Sequence, residues 1–283
     1  MKKALVLSGG AVKGAFQVGV LKFLLGVKEE RYDIITGVSV GALNGAYLAQ
    51  FRKSDTILAS KNLEELWLKI NKQNIYKHWT IPYLGALWNK SIYNSKPLQD
   101  LIKDNINLNL IRANNRDVLV GAVNLKTTEY KLFNCYKDNF IEGVMASSAF
   151  PGFFCPVEIN GELYTDGGVK EITPLKAAID KGADEVDVII CSPENTTSKF
   201  KDKNTIDITY RSLDLMSDEI MRTDVNMAKC YNKLNIGGLT SKRYIKINVY
   251  RPKYNLTDNS LDFSQDSIRN MIKIGYDIAF SLG

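Results

Sequence analysis

The stretch of sequence that decides the fold is residues 33–49, DIITGVSVGALNGAYLA. Its first apolar residues indicate the end of a short buried strand, and residues 42–48 indicate a helix. Between them lies Gly37-Val38-Ser39-Val40-Gly41, a G-x-S-x-G motif. At a sharp strand-to-helix turn, such glycines let the two elements approach closely and leave the serine hydroxyl exposed in a strained conformation. Ser39 is therefore a candidate nucleophile at the positive end of a helix.

The motif by itself does not establish a nucleophile, because glycine and serine are common residues. The same pattern arises by chance in roughly one chain in ten of this length, and most serines in glycine-rich turns only cap a helix or fill space. The strand before Ser39 and the helix after it favour the catalytic interpretation, since the motif requires that context.

A second glycine-rich turn lies near the start of the chain. Residues 3–7, KALVL, predict a strand, and residues 15–25 predict an apolar helix. The turn between them, Ser8-Gly9-Gly10-Ala11-Val12-Lys13-Gly14, would present unpaired backbone N–H groups to a negative charge. Two anions are candidates: a nucleotide phosphate and the oxyanion of a tetrahedral acyl intermediate. A purely structural turn is the third interpretation.

The nucleotide interpretation matches the turn poorly. A P-loop needs Gly-Lys-Ser/Thr, whereas here Lys13 precedes Gly14 and Ala15 follows it. The dinucleotide fingerprint needs G-x-G-x-x-G, whereas the glycines stand at positions 9, 10 and 14. Asp33 follows at the distance of a ribose-binding acid, but acidic residues are common.

Strand, glycine-rich turn, helix, strand, G-x-S-x-G and helix follow one another along the chain. This alternation predicts the α/β class, with a mainly parallel central sheet sandwiched by helices in three layers. Both turns leave the carboxyl ends of parallel strands, so they can face one crevice. The 283 residues suit one such domain. Because we find no repeat or linker, we predict a single domain over residues 1–283.

Apolar patterns predict further elements in the rest of the chain. We expect strands over 117–123, 129–134, 157–159, 163–165, 186–191 and 243–250, and helices over 56–70, from the N-cap Ser95 to 106, and over 140–146, 174–181, 211–235 and 264–280. Asn160-Gly161 predicts a tight hairpin between two of the strands, since this pair suits a two-residue turn.

The composition is ordinary for a globular protein, with 45% apolar and 24% charged residues. The net charge of +6 is compatible with anionic lipid surfaces or nucleic acid and demonstrates neither. Cys135, Cys155, Cys191 and Cys230 form no C-x-x-C pair, so we expect reduced thiols and no metal site.

No apolar run reaches the length of a transmembrane helix. The first residues lack the apolar region of a signal peptide, so we expect a cytoplasmic protein.

Residues 76–93 are rich in aromatic side chains and contain lysines but no acid. A cap over an apolar groove, or a patch at a membrane interface, would have this composition. Ordinary packing of a long connection is an equal alternative.

A serine hydroxyl needs a base to become a good nucleophile. The one histidine, His78, does not fit the order Ser, acid, His of an α/β-hydrolase triad, so a surface or cap role is favoured for it. Asp166 is the better candidate, because it ends a hairpin and Gly167-Gly168 leaves room beside its carboxylate. Asp-Gly-Gly is also ordinary turn chemistry. A free aspartate has a pKa of about 3.9, so Asp166 needs positioning or burial to act as a base.

Three sequence blocks therefore stand in order: SGGAVKG at 8–14, GVSVG at 37–41 and DGG at 166–168, the last preceded by ASSAFPGFFCPVEINGELYT. In this order and context they resemble the patatin-like phospholipase family, over roughly residues 4–185.

The resemblance implies a lipid acyl hydrolase that uses a Ser-Asp dyad and needs no histidine, metal or cofactor. By position, Ser39 would be the nucleophile and Asp166 the base, with the backbone N–H groups around Gly9, Gly10 and Ala11 as the oxyanion hole. The residues that would support the motifs are Lys13, Gly14, Gly37, Gly41, Gly167 and Gly168.

Two positions depart from the family's usual G-G-G-x-R-G turn. Ala11 replaces the third glycine but keeps its N–H, and Lys13 replaces the arginine, keeping the charge but not the planar fork. The resemblance further implies a lipid or phospholipid substrate. The composition of the 76–93 stretch makes peripheral contact with membranes a hypothesis; we expect no nucleic-acid partner, and the oligomeric state stays open. The alternatives are an acyltransferase or thioesterase with the same dyad, and a non-catalytic lipid-binding protein with a degenerate site.

Overall fold

The computed structural model describes residues 1–79, 90–137, 139–194, 205–236 and 244–283. Its strands are β1 (Lys3–Leu7), β2 (Ile34–Gly37), β3 (Lys77–His78), β4 (Tyr93–Asn94), β5 (Asp117–Asn124), β6 (Tyr130–Asn134), β7 (Val157–Ile159), β8 (Glu162–Asp166), β9 (Glu185–Ile189) and β10 (Lys246–Tyr250). Its helices are α1 (Gly14–Gly26), α2 (Val40–Ala49), α3 (Thr56–Lys69), α4 (Lys72–Ile75), α5 (Lys96–Asn105), α6 (Leu108–Ala113), α7 (Phe140–Ser147), α8 (Leu175–Asp180), α9 (Thr205–Ile236) and α10 (Gln265–Leu282).

The central sheet has the strand order β10-β9-β1-β2-β5-β8-β7, and β6 pairs with β5 as well. The run from β10 to β5 is parallel, whereas β6, β7 and β8 add antiparallel pairings at one side. The predicted mainly parallel sheet is thus confirmed. Parallel pairing places the turns after β1 and β2 at the same edge of the sheet, as the crevice expectation requires.

Helices cover both faces of this sheet, and β1 shows how the sequence achieves it. Its side chains alternate between faces, as in any strand. Leu5 and Leu7 belong to a core cluster that also contains residues of α1, α2, α3 and α10. Ala4 and Val6 belong to a second cluster, which contains residues of α8 and α9. The three-layer α/β/α architecture is therefore confirmed.

The predicted elements appear with small shifts at their ends. The longest helix, α9, begins at Thr205 rather than at residue 211, and β10 begins at Lys246, while Arg243 lies outside the described residues. Ser95 precedes α5, but its side chain makes no capping bond; the Asn94 side chain accepts from the Lys96 N–H instead, at 2.9 Å. The Asn160-Gly161 turn has positive φ at both residues, as a tight hairpin needs.

The sequence patterns did not predict α4, α6 or the β3–β4 pair. These elements have two to six residues, which is too short for a helical or strand period to become visible. For α6, the one residue that could have indicated the helix start is Asn107, whose side chain caps the first N–H groups.

Strand β5 brings together the ends of two distant segments. Its residues Leu119 to Val123 pair with β6 along one edge. The other edge pairs with β2 as far as Gly37↔Val120 and then with β8 from Asp166↔Ala122 onward. The C-terminal ends of β2 and β8 therefore face each other along one edge of β5, with only Gly121 between their partners.

The C-terminal part of the chain joins the same layers, because β10 pairs with β9 and α10 packs on α1. The single domain over residues 1–283 stays a prediction. Within the described ranges, none of the helices combines the length and the apolar character that crossing a membrane requires.

Candidate active site

Ser39 lies at a strained turn between β2 and α2. Its φ of 56° and ψ of −126° are unusual for a residue with a side chain. A Cβ on Gly37 would overlap the Gly41 carbonyl oxygen, and a Cβ on Gly41 would overlap that of Leu7. Only glycine at both positions allows this approach of strand and helix. The two outer glycines of the motif thus have the close packing that the sequence pattern predicted.

The Ser39 backbone is fixed from another helix. Its N–H donates to the Ser147 hydroxyl at 3.0 Å, and Ser147 is the fully buried last residue of α7. Neighbouring Ser148 directs its hydroxyl to the Val144 carbonyl at 3.0 Å. Sequence reasoning did not assign a role to Ser147, since its contact with Ser39 joins residues 108 positions apart.

Asp166 is almost completely buried, with 1% of its surface exposed. Its Oδ1 accepts from the Gly168 N–H at 2.8 Å, which caps the 3-10 turn Gly167–Val169. Its Oδ2 has no hydrogen-bond partner in the described parts of the chain. Burial raises the pKa of Asp166 to about 7, while the Gly168 N–H and the nearby Ser39 hydroxyl oppose this rise.

The Ser39 hydroxyl and the Asp166 carboxylate are neighbours without a hydrogen bond of good geometry between them. The hydroxyl is close enough to lower the pKa of Asp166, yet Oδ2 has no hydrogen-bond partner among the described residues. Imperfect alignment of this kind is common for catalytic groups before substrate binds. The pairing of β2 and β8 on one edge of β5 is what brings these two side chains, 127 positions apart in the printed sequence, to one place.

At residues 9–11 of the first glycine-rich turn, one N–H group is engaged and two have no acceptor among the described residues. Gly9 N–H donates to the Ile172 carbonyl at 3.0 Å, so it is engaged, unlike the sequence expectation for this group. No described residue accepts from the N–H groups of Gly10 or Ala11. Ala11 adopts a φ of 49°, so alanine does take the left-handed conformation here. A Cβ on Gly10 would collide with the Cys191 side chain, which explains glycine at this position.

A further N–H without an acceptor among the described residues belongs to Val40, the first residue of α2. It follows Ser39 directly, and the residue after a nucleophile commonly donates to an oxyanion. Sequence reasoning did not single it out, although the G-x-S-x-G motif itself was the available signal.

Lys13, Gly14 and Gly167 lie where the three sequence blocks contact neighbouring elements. Lys13 is 5% exposed and its Nζ lies 3.5 Å from Asp214 Oδ1, in the wall of the cavity described below. A Cβ on Gly14 would overlap the Val40 side chain, and one on Gly167 would overlap the Gly121 carbonyl oxygen. Lys13 and Gly14 therefore join the first turn to α2 and α9, and Gly167 joins the DGG turn to β5.

Ser39, Asp166, Gly10 and Ala11 all line one cavity of about 1380 Å³, its open mouth included. Apolar side chains of α2, α3 and α5 and of the segments 150–154 and 261–263 form most of the wall, among them Trp67, Ile102, Phe150, Phe154 and Phe263. A smaller polar part contains Lys13, Ser192, Asp214, Ser217 and Asp218.

A buried polar chain supports the cavity from behind. Trp67 Nε1 donates to Asn44 Oδ1 at 2.8 Å, Asn44 Nδ2 donates to Gln17 Oε1 at 2.9 Å, and Gln17 Nε2 donates to the Ser8 carbonyl at 2.7 Å. The chain ties α3, α2 and α1 to the first glycine-rich turn. Nothing in the local sequence indicated it, because the polar residues lie on helices whose other residues are almost all apolar.

His78 lies outside the cavity wall, exposed on β3 with its ring 5.2 Å from that of Tyr93. Tyr76 is buried and its ring lies 4.4 Å from that of Tyr93, so these two rings pack as structural residues. Tyr83 and Trp88 lie outside the described residues.

Within the described ranges, no group of three or more His, Cys, Asp or Glu side chains is arranged to hold a metal ion.

Comparisons with known proteins point to one family. The model of the patatin-like phospholipase family matches residues 5–179. Calcium-independent phospholipase A2-gamma of Rattus norvegicus is 24% identical over 203 residues, which are 62% of this chain and 26% of that protein. A probable lipid hydrolase of invertebrate iridescent virus 6 is 25% identical over 186 residues, 62% of this chain and 63% of that one.

An uncharacterized protein of Acanthamoeba polyphaga mimivirus is 25% identical over 264 residues, 89% of this chain and 80% of that one. The chain thus spans about a quarter of the length of the phospholipase A2-gamma proteins that it matches. The crystal structure of VipD from Legionella pneumophila superposes with a TM-score of 0.48 and 14% identity, over 99% of this chain and 66% of that one. Because the family model covers more than half of the residues, this chain belongs to the patatin-like phospholipase family.

Proposed function

We propose that the protein hydrolyses fatty acyl esters of lipids, with Ser39 as nucleophile and Asp166 as base. One observation carries the proposal: the strained Ser39 and Asp166, whose Oδ2 has no partner among the described residues, line the same mostly apolar cavity. Membership of the family and the names of the similar proteins, a phospholipase and a probable lipid hydrolase, support it further.

In the proposed reaction, Ser39 Oγ attacks the ester carbonyl carbon while its proton moves to Asp166 Oδ2. The carbonyl oxygen becomes an oxyanion, to which the N–H groups of Gly10 and Ala11 donate, with Val40 as a third donor. Donors placed in advance at such a position contribute about a hundred- to a thousandfold in rate each. The tetrahedral intermediate then expels the alcohol, which takes the proton from Asp166, and leaves an acyl-serine. Water repeats the sequence and releases the fatty acid.

The pKa of Asp166 fits this role. A carboxylate with a pKa of about 7 is a far better proton acceptor near neutral pH than one with the ordinary value of about 3.9. Burial raises this pKa because it removes water from the charged carboxylate. A Ser-Asp dyad of this kind needs no histidine, so the remote His78 is consistent with the proposal.

The cavity indicates the class of substrate. Its apolar wall favours an acyl chain, because burying methylene groups there stabilises the complex by about 0.8 kcal/mol for each group. The polar residues near Lys13 would then contact the ester's alcohol part, as in a phospholipid. We also propose that the protein works in the cytoplasm and contacts membranes peripherally, through residues of the aromatic stretch 76–93 that are not packed as Tyr76 and Tyr93 are, such as the half-buried Trp79.

Labelling with a fluorophosphonate probe tests the nucleophile directly. The probe should label the purified protein and should not label Ser39→Ala, while Ser54→Ala, which removes an exposed serine, should label normally. Asp166→Asn should label at least about a hundredfold more slowly, because the base is lost. A wild-type protein that stays unlabelled, also in the presence of anionic phospholipid vesicles, would contradict the proposal and favour lipid binding without catalysis.

Two further measurements separate the alternatives. Hydrolysis of phospholipid vesicles should release free fatty acid whether or not an alcohol is added. If product forms only with an added alcohol or thiol acceptor, the protein is an acyltransferase instead.

For the membrane contact, Trp79→Ala should weaken vesicle binding and leave the turnover of a short soluble ester intact. Equal loss of both would indicate that Trp79 only packs.

A further inference from the structure

The segment of residues 170–174, between the DGG turn and α8, connects the two glycine-rich turns. Of this segment, Ile172 lines the cavity. Its Ile172 carbonyl accepts the Gly9 N–H at 3.0 Å. The Ile172 side chain fits between the turns, since a Cβ on Gly9 would lie 2.9 Å from Ile172 Cγ1 and one on Gly168 would lie 3.4 Å from the same atom. Ile172 therefore touches both the turn with the free N–H groups and the turn that holds Asp166.

This segment is held in turn by one carboxylate of α9. Asp224 Oδ2 accepts from the N–H of Ile172 at 3.1 Å and from the N–H of Thr173 at 3.0 Å. Both bonds end on the same oxygen, so they fix two consecutive peptides. A carboxylate that accepts backbone N–H bonds forms stronger hydrogen bonds than a neutral acceptor does.

Asp224 does not line the cavity, so substrate does not reach it. Met221, one helical turn before it, does line the cavity, and Val225 beside it is buried in the core cluster below the sheet. The position of Asp224 is thus set by the packing of α9. A mutation at this residue can change the glycine-rich turn without removing any group that contacts the substrate.

We propose that Asp224 is a positioning residue, which holds the Ile172 carbonyl against the Gly9 N–H and so directs the Gly10 and Ala11 N–H groups toward the carbonyl oxygen of the ester that Ser39 attacks. A Gly-Gly turn has many accessible backbone conformations, so without an anchor the two donors would not keep one direction. The bond at Gly9 removes that freedom at the residue directly before the donors. This inference rests on the proposed function, since it assigns a role within the same reaction.

Substitutions at Asp224, compared with one at a control position, distinguish a positioning role from a contribution to general stability. Asp224→Ala removes the acceptor, whereas Asp224→Asn keeps one oxygen that can accept both N–H bonds. Glu219→Ala, which removes an exposed acid of the same helix, serves as the matched control. We expect Asp224→Ala to lower kcat on a soluble short-chain nitrophenyl ester about tenfold to a hundredfold, which is less than the loss of a whole oxyanion donor. KM should stay within about twofold, because the substitution removes no side chain that lines the cavity.

Inhibitor affinity gives a second measurement on the same variants, which a merely structural role of Asp224 would not change selectively. A trifluoromethyl ketone binds by forming a hemiketal oxyanion with Ser39, so its affinity should fall in Asp224→Ala in proportion to kcat. The affinity for the fatty acid product, which carries no such oxyanion, should not fall. Asp224→Asn should restore both kcat and the affinity for the ketone. Equal impairment of Asp224→Asn and Asp224→Ala, or equal loss of ketone and product binding, would overturn the inference.

Hydrogen exchange at the Gly9 amide tests the same link without any activity. Asp224→Ala should accelerate this exchange about tenfold or more through local opening, while Asp224→Asn and Glu219→Ala should leave it unchanged. Unchanged exchange in Asp224→Ala would refute the inference. If the wild-type protein neither hydrolyses esters nor reacts with fluorophosphonate, the proposed function fails, and Gly9 exchange still decides whether Asp224 holds the turn.

Discussion

The Gly168 N–H donates a hydrogen bond of 2.8 Å to Asp166 Oδ1, and the other carboxylate oxygen has no partner among the described residues. One oxygen is thus used to hold the carboxylate, and in the proposed reaction the second oxygen accepts the proton of Ser39. A buried carboxylate oxygen without a partner is costly for stability. The proposed role of Asp166 as base accounts for this cost.

We expect the pH dependence of kcat/KM to report the pKa of Asp166. Because the carboxylate must be ionised to accept the proton of Ser39, activity should fall as the pH drops below about 7. A steady-state profile on a soluble ester measures this. Glu171, whose pKa burial and the nearby Asp224 raise to about 7, lies outside the cavity and is the control. Glu171→Gln should keep the acidic limb, and an unshifted limb near pH 4 in the wild type would contradict the prediction.

Asp166→Asn should stabilise the fold at high pH. Burial raises the pKa of Asp166 from the value of about 3.9 in the unfolded chain to about 7 in the folded protein. The penalty for the buried charge is therefore absent below pH 4, grows as the pH rises to 7 and is complete above it. A difference of this size corresponds to at most about 4 kcal/mol in the free energy of unfolding.

Thermal unfolding at pH 8 and at pH 4 checks this sign. Tm of Asp166→Asn should exceed that of the wild type at pH 8, and the difference should shrink at pH 4. The exposed Asp104→Asn serves as the control and should show no such pattern. A lower Tm for Asp166→Asn at pH 8 would mean that the charged carboxylate stabilises the fold.

Gly41→Ala should damage the turn that carries Ser39. Its added Cβ would overlap the Leu7 carbonyl oxygen, so β1 or α2 must move, at a cost of about 1–3 kcal/mol or more. We expect a lower midpoint of urea unfolding and loss of fluorophosphonate labelling. In Gly26→Ala the new Cβ would meet nothing closer than 3.5 Å, and alanine favours a helix. That variant should therefore be as stable as the wild type or slightly more stable; similar losses in both would argue against the close packing at Gly41.

Ile102→Phe should shift the preferred acyl chain length. Ile102 is 2% exposed and lines the apolar part of the cavity from α5, so a larger ring there takes space from the acyl chain. We expect kcat/KM for a hexadecanoyl nitrophenyl ester to fall about tenfold relative to that for a butanoyl ester, since a few buried methylenes are lost. Leu110→Phe, at an exposed position of α6, is the control and should leave the ratio unchanged. A proportional loss for both esters would place the acyl chain elsewhere.

Much of this architecture follows from local sequence patterns. The alternation of strands and helices predicted the layers. The spacing of Gly37 and Gly41 around Ser39 predicted the tight turn, because close backbone approach leaves no other residue type possible there. The order of the three glycine-containing blocks was sufficient to indicate the family. Short elements such as α4 and α6 escaped prediction, since a period cannot be read from four to six residues.

The tertiary structure decided the relationships between residues that are far apart in the chain. No local pattern states that the Gly9 N–H bonds to Ile172 while the N–H groups of Gly10 and Ala11 find no acceptor among the described residues, or that Ser147 holds the Ser39 peptide. The raised pKa of Asp166 likewise depends on burial, which only the fold produces. The sequence thus determined which residue types can carry the chemistry, because backbone sterics act over a few residues. Packing across the edge of β5 decided where they meet, because strand pairing joins segments more than a hundred residues apart.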